Sequence, residues 1–320
     1  MDFRKRKSMN QTAGRKTITI LAHGGSGSGK SRLAALMPAA LNILMEAQGR
    51  ETIRQWCDDK GLLIEAYRDD DDGTYTGTPG GLIDDPKLRL KKVEHILQAV
   101  HAGEPTEDGI RIPGYSVDKR SGEAKFSKVT EDCPVISSVC FDSLTEWQEV
   151  QLEALIGEKI GAVGEDQVTL PTWGILMKKS KGLIRKLREL PVNVLVLCLT
   201  DEVQDGMKTR YVPALYGNKL HPRISRYFTA VAWLVKKQSG EGIEFNAVFE
   251  HDTTRAICKG CTGLDAVEKL PADPALGGPV TWLRKIAESR AVDNPVAAEV
   301  KLPAKSKVAQ EAPQTRRRGR

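Results

Sequence analysis

Short apolar runs alternate along the chain with stretches whose apolar residues recur at helical spacing. Thr17–Ala22 (TITILA) is a β-branched apolar run that ends at His23 and a glycine cluster, which predicts a buried strand feeding a loop. Lys30–Met37 predicts a helix. Pro38 interrupts its hydrogen-bond ladder, so a kink or a second helix through Ala47 is expected. Leu62–Tyr67, Pro134–Phe141 and Val192–Leu199 predict further strands, and Phe228–Val235, Glu244–Phe249 and Arg255–Cys258 complete the set. Between them, Leu90, Val93, Leu97 and Val100 mark one apolar helix face, and Leu144, Trp147, Val150 and Leu155 a second. Leu176, Leu183, Leu187 and Leu190 mark a third, with lysines and arginines on the rest of that helix. Strands alternating with helices predict an α/β fold, a mainly parallel sheet covered on both faces. Arg68–Cys133 departs from the alternation: one helix is followed by a polar stretch whose Ser-Gly-Glu turn predicts a hairpin insertion.

With 320 residues, 40% hydrophobic and 28% charged, the chain can bury a large core. The longest apolar runs fall far short of the roughly 18 residues of a spanning helix. Six cysteines in this length make no disulfide scaffold, and no secretory signal is expected. A membrane-spanning protein, a secreted mini-domain and a fibrous chain are excluded by these features. The net charge of +6 is unevenly placed. Residues 1–16 and residues 290–320 each carry a net +5, leaving −4 for the body between them. Basic ends on a mildly acidic body suit salt-sensitive attraction to a polyanion, and equally suit plain solvation of two disordered tails. Cys258-Lys-Gly-Cys261 lacks a second ligand pair and is expected to be two free cysteines rather than a zinc site.

Residues 24–31 read GGSGSGKS, which fits G-x-x-x-x-G-K-[ST] with a strand before it and a helix after it. Gly24, Gly25, Ser26, Gly27, Ser28 and Gly29 let the backbone fold tightly and turn its N–H groups inward as a nest for phosphate oxygens. Lys30 supplies a point charge for the β- and γ-phosphates, and Ser31 a hydroxyl for Mg²⁺. The pattern predicts a site for ATP with Mg²⁺. Its second metal carboxylate is expected at Asp142, where the apolar strand VISSVCF ends. Asp142 or Ser143 would also cap the following helix. A strand, Leu62–Tyr67, lies between the loop and Asp142, so the two motif strands need not be consecutive in sequence. This suits RecA-like and AAA-type ATPases better than small nucleotide kinases. RecA-like chemistry places a water-orienting glutamate on the intermediate strand, and Glu65 is the glutamate there, with Asp69–Asp72 as a substitute.

These pieces resemble phage-encoded RecA-like nucleotide-binding proteins, including the single-strand-annealing and recombination ATPases of the Sak type. The resemblance rests on GGSGSGKS, on Phe141–Thr145 with its Trp- and Glu-containing helix, and on Trp173-Gly174 opening the basic helix. Leu187–Val196, Leu199-Thr200, Pro213–Leu220 and the strands ending near Lys259-Gly260 continue it, so that it spans most of residues 17–265. It implies a RecA-like ATPase domain over residues 17–289, with residues 68–130 inserted. It also implies hydrolysis of ATP, a homo-oligomer, and work on single-stranded DNA in recombination or replication in the cytoplasm of a bacterial or phage-infected cell. A single-strand-binding protein or a helicase is an expected partner. Thr200, at a strand end, would sense the γ-phosphate. The polar segment after it interleaves cations and aromatics, and Lys208, Arg210, Tyr211, Lys219, Arg223 and Arg226 are the expected DNA-binding residues. Arg223 or Arg226 could instead reach a neighbour's nucleotide. A slow-hydrolysing loader of a replication protein is the alternative. A small-molecule phosphotransferase fits less well, because the arginines of the insertion are scattered.

Overall fold

The computed structural model describes residues 17–47, 49–56, 61–68, 81–117, 123–158, 168–217, 220–239, 242–250, 256–270 and 278–293. The expected basic ends, apart from residues 290–293, the Asp69–Asp72 run, most of the Ser-Gly-Glu turn and Lys219 lie outside the described residues.

An eight-stranded sheet forms the frame. Its strands in sequence are β1 (Thr19–Gly24), β2 (Ala40–Leu44), β3 (Leu62–Glu65), β9 (Ser138–Asp142), β10 (Asn193–Cys198), β13 (Ala230–Ser239), β14 (Gly242–Val248) and β15 (Val267–Leu270). The spatial order is β15-β14-β13-β1-β10-β9-β2-β3. From β3 to β13 every neighbouring pair is parallel, and β14 and β15 complete one edge as an antiparallel meander. The strand after the glycine cluster's own therefore lies beyond β10 and β9. The mainly parallel sheet expected from the sequence is present, and in it the phosphate-loop strand is one strand removed from the Asp142 strand.

Both sheet faces are apolar because both are covered. One face packs Leu21, Phe141 and Val196 against helices α3 (Pro86–Ala102), α4 (Leu144–Ile156) and α5 (Leu170–Arg188). The other packs Ile20, Cys140 and Leu195 against α1 (Lys30–Ala35), α2 (Arg50–Trp56) and α6 (Pro279–Asp293). α3 begins the expected insertion, yet Val93, Ile96, Leu97 and Val100 are buried in the first of these clusters. Beyond it, β4 (Glu104–Pro105), β5 (Ile110–Arg111) and β8 (Val135–Ile136) form a small sheet. The expected hairpin is present as β6 (Tyr115–Val117) against β7 (Ala124–Phe126).

Three expectations are corrected. The second helix through Ala47 is instead strand β2. Pro38 ends the helical stretch, Ala39 turns the chain at φ 38°, and ALNIL then enters the sheet between β9 and β3. A five-residue segment buried on both faces, apolar apart from Asn42, has no period by which helix and strand can be told apart. The long polar segment after Leu199 is a hairpin, β11 (Thr200–Asp205) against β12 (Lys208–Pro213), followed by a 3-10 segment His221–Tyr227. Around Arg255–Cys258 the described residues make isolated bridges, Ala256 with Tyr211, and next to them Lys259 with Val231.

α6 was not expected, and it closes the second face. Its Trp282 is 1% exposed and meets Phe249 edge-on at 5.1 Å. Trp282→Ala is expected to remove about 3–5 kcal/mol of unfolding free energy, measured as a fall in the urea midpoint at unchanged slope.

Candidate active site

The carboxyl ends of β1, β9 and β2 carry the glycine loop, Asp142 and Glu46 to one edge of the sheet. In the loop, Gly27 and Gly29 hold φ of 71° and 93°, conformations that side chains resist. At Gly24 the constraint is space, since a Cβ there would collide with Ser28 Oγ and sit 2.9 Å from Leu234 Cβ. Ser28 N donates to Gly25 O at 3.2 Å, closing the turn. α1 has six residues, so its dipole is short, and most of the local positive field comes from the loop amides and Lys30.

Lys30 Nζ donates to Gly24 O at 2.8 Å and to Gly25 O at 2.9 Å. Burial holds its pKa below the usual lysine value, opposed by the negative charges of Asp142 and Glu46. Ser31 Oγ donates to Asp142 Oδ2 at 3.4 Å. Asp142 is 4% exposed, and its carbonyl accepts from Met45 N at 2.6 Å, tying β9 to the residue after β2. Burial raises its carboxyl to about 7, with Glu46 adding to the rise and Lys30 and Ser31 opposing it. A cis peptide joins Asp142 to Ser143. The cap falls to Ser143, whose Oγ accepts from Glu146 N at 3.2 Å, so the Asp142 carboxylate faces Ser31.

Glu46 is the residue that sequence reasoning missed. It follows β2, is half-buried, and is close enough to perturb both Lys30 and Asp142. Burial and the Glu146 carboxylate push its own pKa up, and Lys30 pulls it down. Arg89 on α3 donates to Met45 O and pairs with Glu146 at 3.6 Å, fixing the backbone that carries Glu46. The signal was present as a glutamate after an apolar run, hidden because that run reads as helix. Glu65, the expected water-orienting residue, ends β3 at the sheet edge. Its carboxylate accepts from Tyr67 Oη and pairs with Arg50 at 2.8 Å and Arg68 at 3.9 Å.

The residues fit a magnesium-bound triphosphate. Ser28 Oγ is buried and has no hydrogen-bond partner among the described residues, an orphaned polar atom inside the loop. The Ser31 and Asp142 oxygens are hard donors of the type magnesium takes. Gly49, at φ 87°, forms the wall beside them, where a Cβ would collide with Ser31 Oγ and lie 3.6 Å from Asp142 Oδ2. Among the described residues no group of His, Cys, Asp and Glu makes a separate metal cluster. Cys258 and Cys261 are not joined in a disulfide, and no described helix is long and apolar enough to cross a membrane.

Thr200 lies just past the end of β10 and bonds to His23. Their atoms, Thr200 Oγ1 and His23 Nδ1, are 2.9 Å apart, and His23 Nε2 is 2.9 Å from Ile257 O. A carbonyl only accepts, so the ring proton sits on Nε2 and Nδ1 accepts from Thr200. The Thr200 oxygen then presents lone pairs, not a proton, to anything else near it.

The DNA candidates divide by strand register. Lys208 and the pair Val203↔Arg210 share one hairpin face, while Glu202↔Tyr211 lies on the other. Tyr211 stacks on Trp233 at 4.8 Å and 20°, so it is not interleaved with the cations. Lys208, Arg223 and Arg226 are exposed and Arg210 is half-buried.

No family model matches the chain, and no curated protein matches it in sequence. Solved structures similar to it include a KaiC-like protein from the hyperthermophilic archaeon Pyrococcus horikoshii, at 14% identity and a TM-score of 0.37. That match covers 79% of this chain and 90% of the other.

Asp142 yields a test by pH. Its folded pKa, about 7, lies above the ordinary carboxylate value, so the folded state holds a proton that the unfolded state releases. Its effect on stability is therefore most favourable at acid pH and is lost as pH rises through about 7. Asp142→Asn, which cannot ionise, should raise the melting temperature in EDTA more at pH 8 than at pH 5. Glu149, pushed up to about 7 by burial and Glu146, titrates in both proteins, so the difference between them isolates Asp142.

Proposed function

We propose that the protein binds ATP at residues 24–31 and hydrolyses it, with Glu46 rather than Glu65 orienting the attacking water. The observation that carries this reading is the meeting of Lys30, Ser31, Asp142 and Glu46 at one sheet edge, on three different strands' ends. The loop amides and Lys30 hold the phosphates. Magnesium, held by Ser31 and Asp142, would neutralise charge on the β- and γ-phosphates. Glu46, with a pKa raised by burial and by Glu146, is suited to accept a proton from water. Glu65 is bound up with Arg50, Arg68 and Tyr67, which fits a structural role.

The same proposal extends to single-stranded DNA. Lys208 and Arg210 on the outer hairpin face, with Arg223 and Arg226 on the 3-10 segment, would track its phosphates, in an oligomer of this chain acting in phage recombination or replication. One observation favours the second reading, a slow-hydrolysing loader for a replication protein. Asp201 lies on the same hairpin face as Lys208 and Arg210 and offsets part of its positive charge.

Lys30→Ala should abolish nucleotide binding in calorimetry at millimolar magnesium. Glu46→Gln should keep binding while lowering kcat at least about 100-fold, whereas Glu65→Gln should lower the melting temperature and leave kcat nearly unchanged. Equal loss of turnover in both variants would contradict the assignment of Glu46. Strong stimulation of turnover by single strands separates the DNA-acting ATPase from the loader. Replacing Lys208 and Arg210 by Ala should reduce the slope of log K against log salt by about 0.7 for each phosphate that is no longer neutralised, and an unchanged slope would move the DNA elsewhere.

A further inference from the structure

His23 is the residue before Gly24, covalently next to the phosphate loop, and its side chain is wholly buried. It holds both strands of the β11–β12 hairpin. Through Nδ1 it accepts from Thr200, the first residue of β11, at 2.9 Å. Through Nε2 it donates to Ile257 O at 2.9 Å, and Ile257 N in turn donates to Tyr211 O on β12 at 3.0 Å. Tyr211 is on the Thr200 side of the hairpin and stacks on Trp233, the register partner of His23 on β13. Burial and the neighbouring Lys30 charge hold the imidazole neutral, with a pKa lowered to about 4, so one nitrogen donates and the other accepts, as these two bonds require.

We propose that His23 is a positioning residue that latches the β11–β12 hairpin to the phosphate loop, so that nucleotide at the loop and ligand on the hairpin's outer face influence each other's binding. This rests on the reading of residues 24–31 as a nucleotide site. The latch works through geometry. Lys30 is bonded to the Gly24 and Gly25 carbonyls, so phosphate drawing the ammonium away alters the backbone to which His23 is joined. The ring carries that change to Thr200 and to Ile257, and the two arms hold the strands in register while their opposite face meets the ligand.

The test measures hydrogen exchange of the amides of residues 200–213 in the full chain, with and without a non-hydrolysable ATP analogue whose binding is followed by calorimetry. Wild type should show slower exchange in this segment on adding the analogue. His23→Leu, which removes both arms, should abolish that slowing and speed exchange of the segment at least about tenfold without nucleotide, while analogue affinity stays within about threefold. His23→Asn keeps an acceptor near the Nδ1 position and His23→Gln a donor near the Nε2 position, so each should restore part of the protection. Thr200→Val should copy the loss of the first arm alone. Analogue binding to wild type with no change at 200–213 overturns the proposal, and so does a folded His23→Leu protein that exchanges like wild type. Absence of calorimetric heat in wild type would instead overturn the nucleotide site, and the exchange of the nucleotide-free His23→Leu protein would still decide the positioning role.

Discussion

A carboxylate withdrawn from water at the end of a fully buried strand is the constraint on which this edge of the sheet is built. Asp142 gains a hydrogen bond from Ser31 and the field of Lys30, yet burial still raises its pKa to about 7. Lys30 is desolvated in the same place. Groups left in this condition lower stability. The loss is offset by the two apolar clusters that sandwich the strands behind them, where Ile20, Phe141, Leu195 and Val196 are fully buried. The parallel order makes the arrangement reachable, because every strand from β2 to β1 presents its carboxyl end on the same edge.

Local chemistry was readable and placement was not. GGSGSGKS could be interpreted from the chain because its parts are covalent neighbours and its conformation follows from glycine and a single turn. Asp142 was readable because a buried strand ends on it. Glu46 was hidden for a physical reason: ALNIL has neither a period of two nor one of 3.6, and only its place between β9 and β3 makes it a strand. Glu65 sits on a correctly identified strand, but that strand lies one position further out. The hairpin carried a local signal that could have been used. Gly206, at φ 64°, opens a two-residue connection between alternating residues, the pattern favoured in tight hairpins.

The hairpin's register changes the meaning of its composition. Cations interleaved with aromatics along a sequence suggest a stacking surface, yet alternation in a strand sends neighbours to opposite faces. Tyr211 is spent on Trp233, and the opposite face carries Lys208 and Arg210 together with Asp201. On the proposed DNA reading, such a face would hold phosphate weakly and without base stacking. Tight binding would then need several copies side by side, which is where an oligomer would matter.

The charge around the site also sets the order in which its ligands can arrive. Glu46, Glu146 and Glu149 gather beyond Asp142, all with pKa values raised by burial, and Arg89 pairs with Glu146 among them. A bare triphosphate approaching from that side meets repulsion, while the loop side offers amides and Lys30. On the proposed nucleotide reading, this field would orient the phosphate tail toward the loop and favour nucleotide that already carries magnesium. Lys30 lowers the pKa of Glu46, so an anion that drew the Lys30 ammonium away would weaken that pull and leave Glu46 holding its proton more tightly. A divalent cation held by Ser31 and Asp142, as proposed, would act the other way and favour the charged form of Glu46, so the water-orienting role proposed for Glu46 depends on the metal.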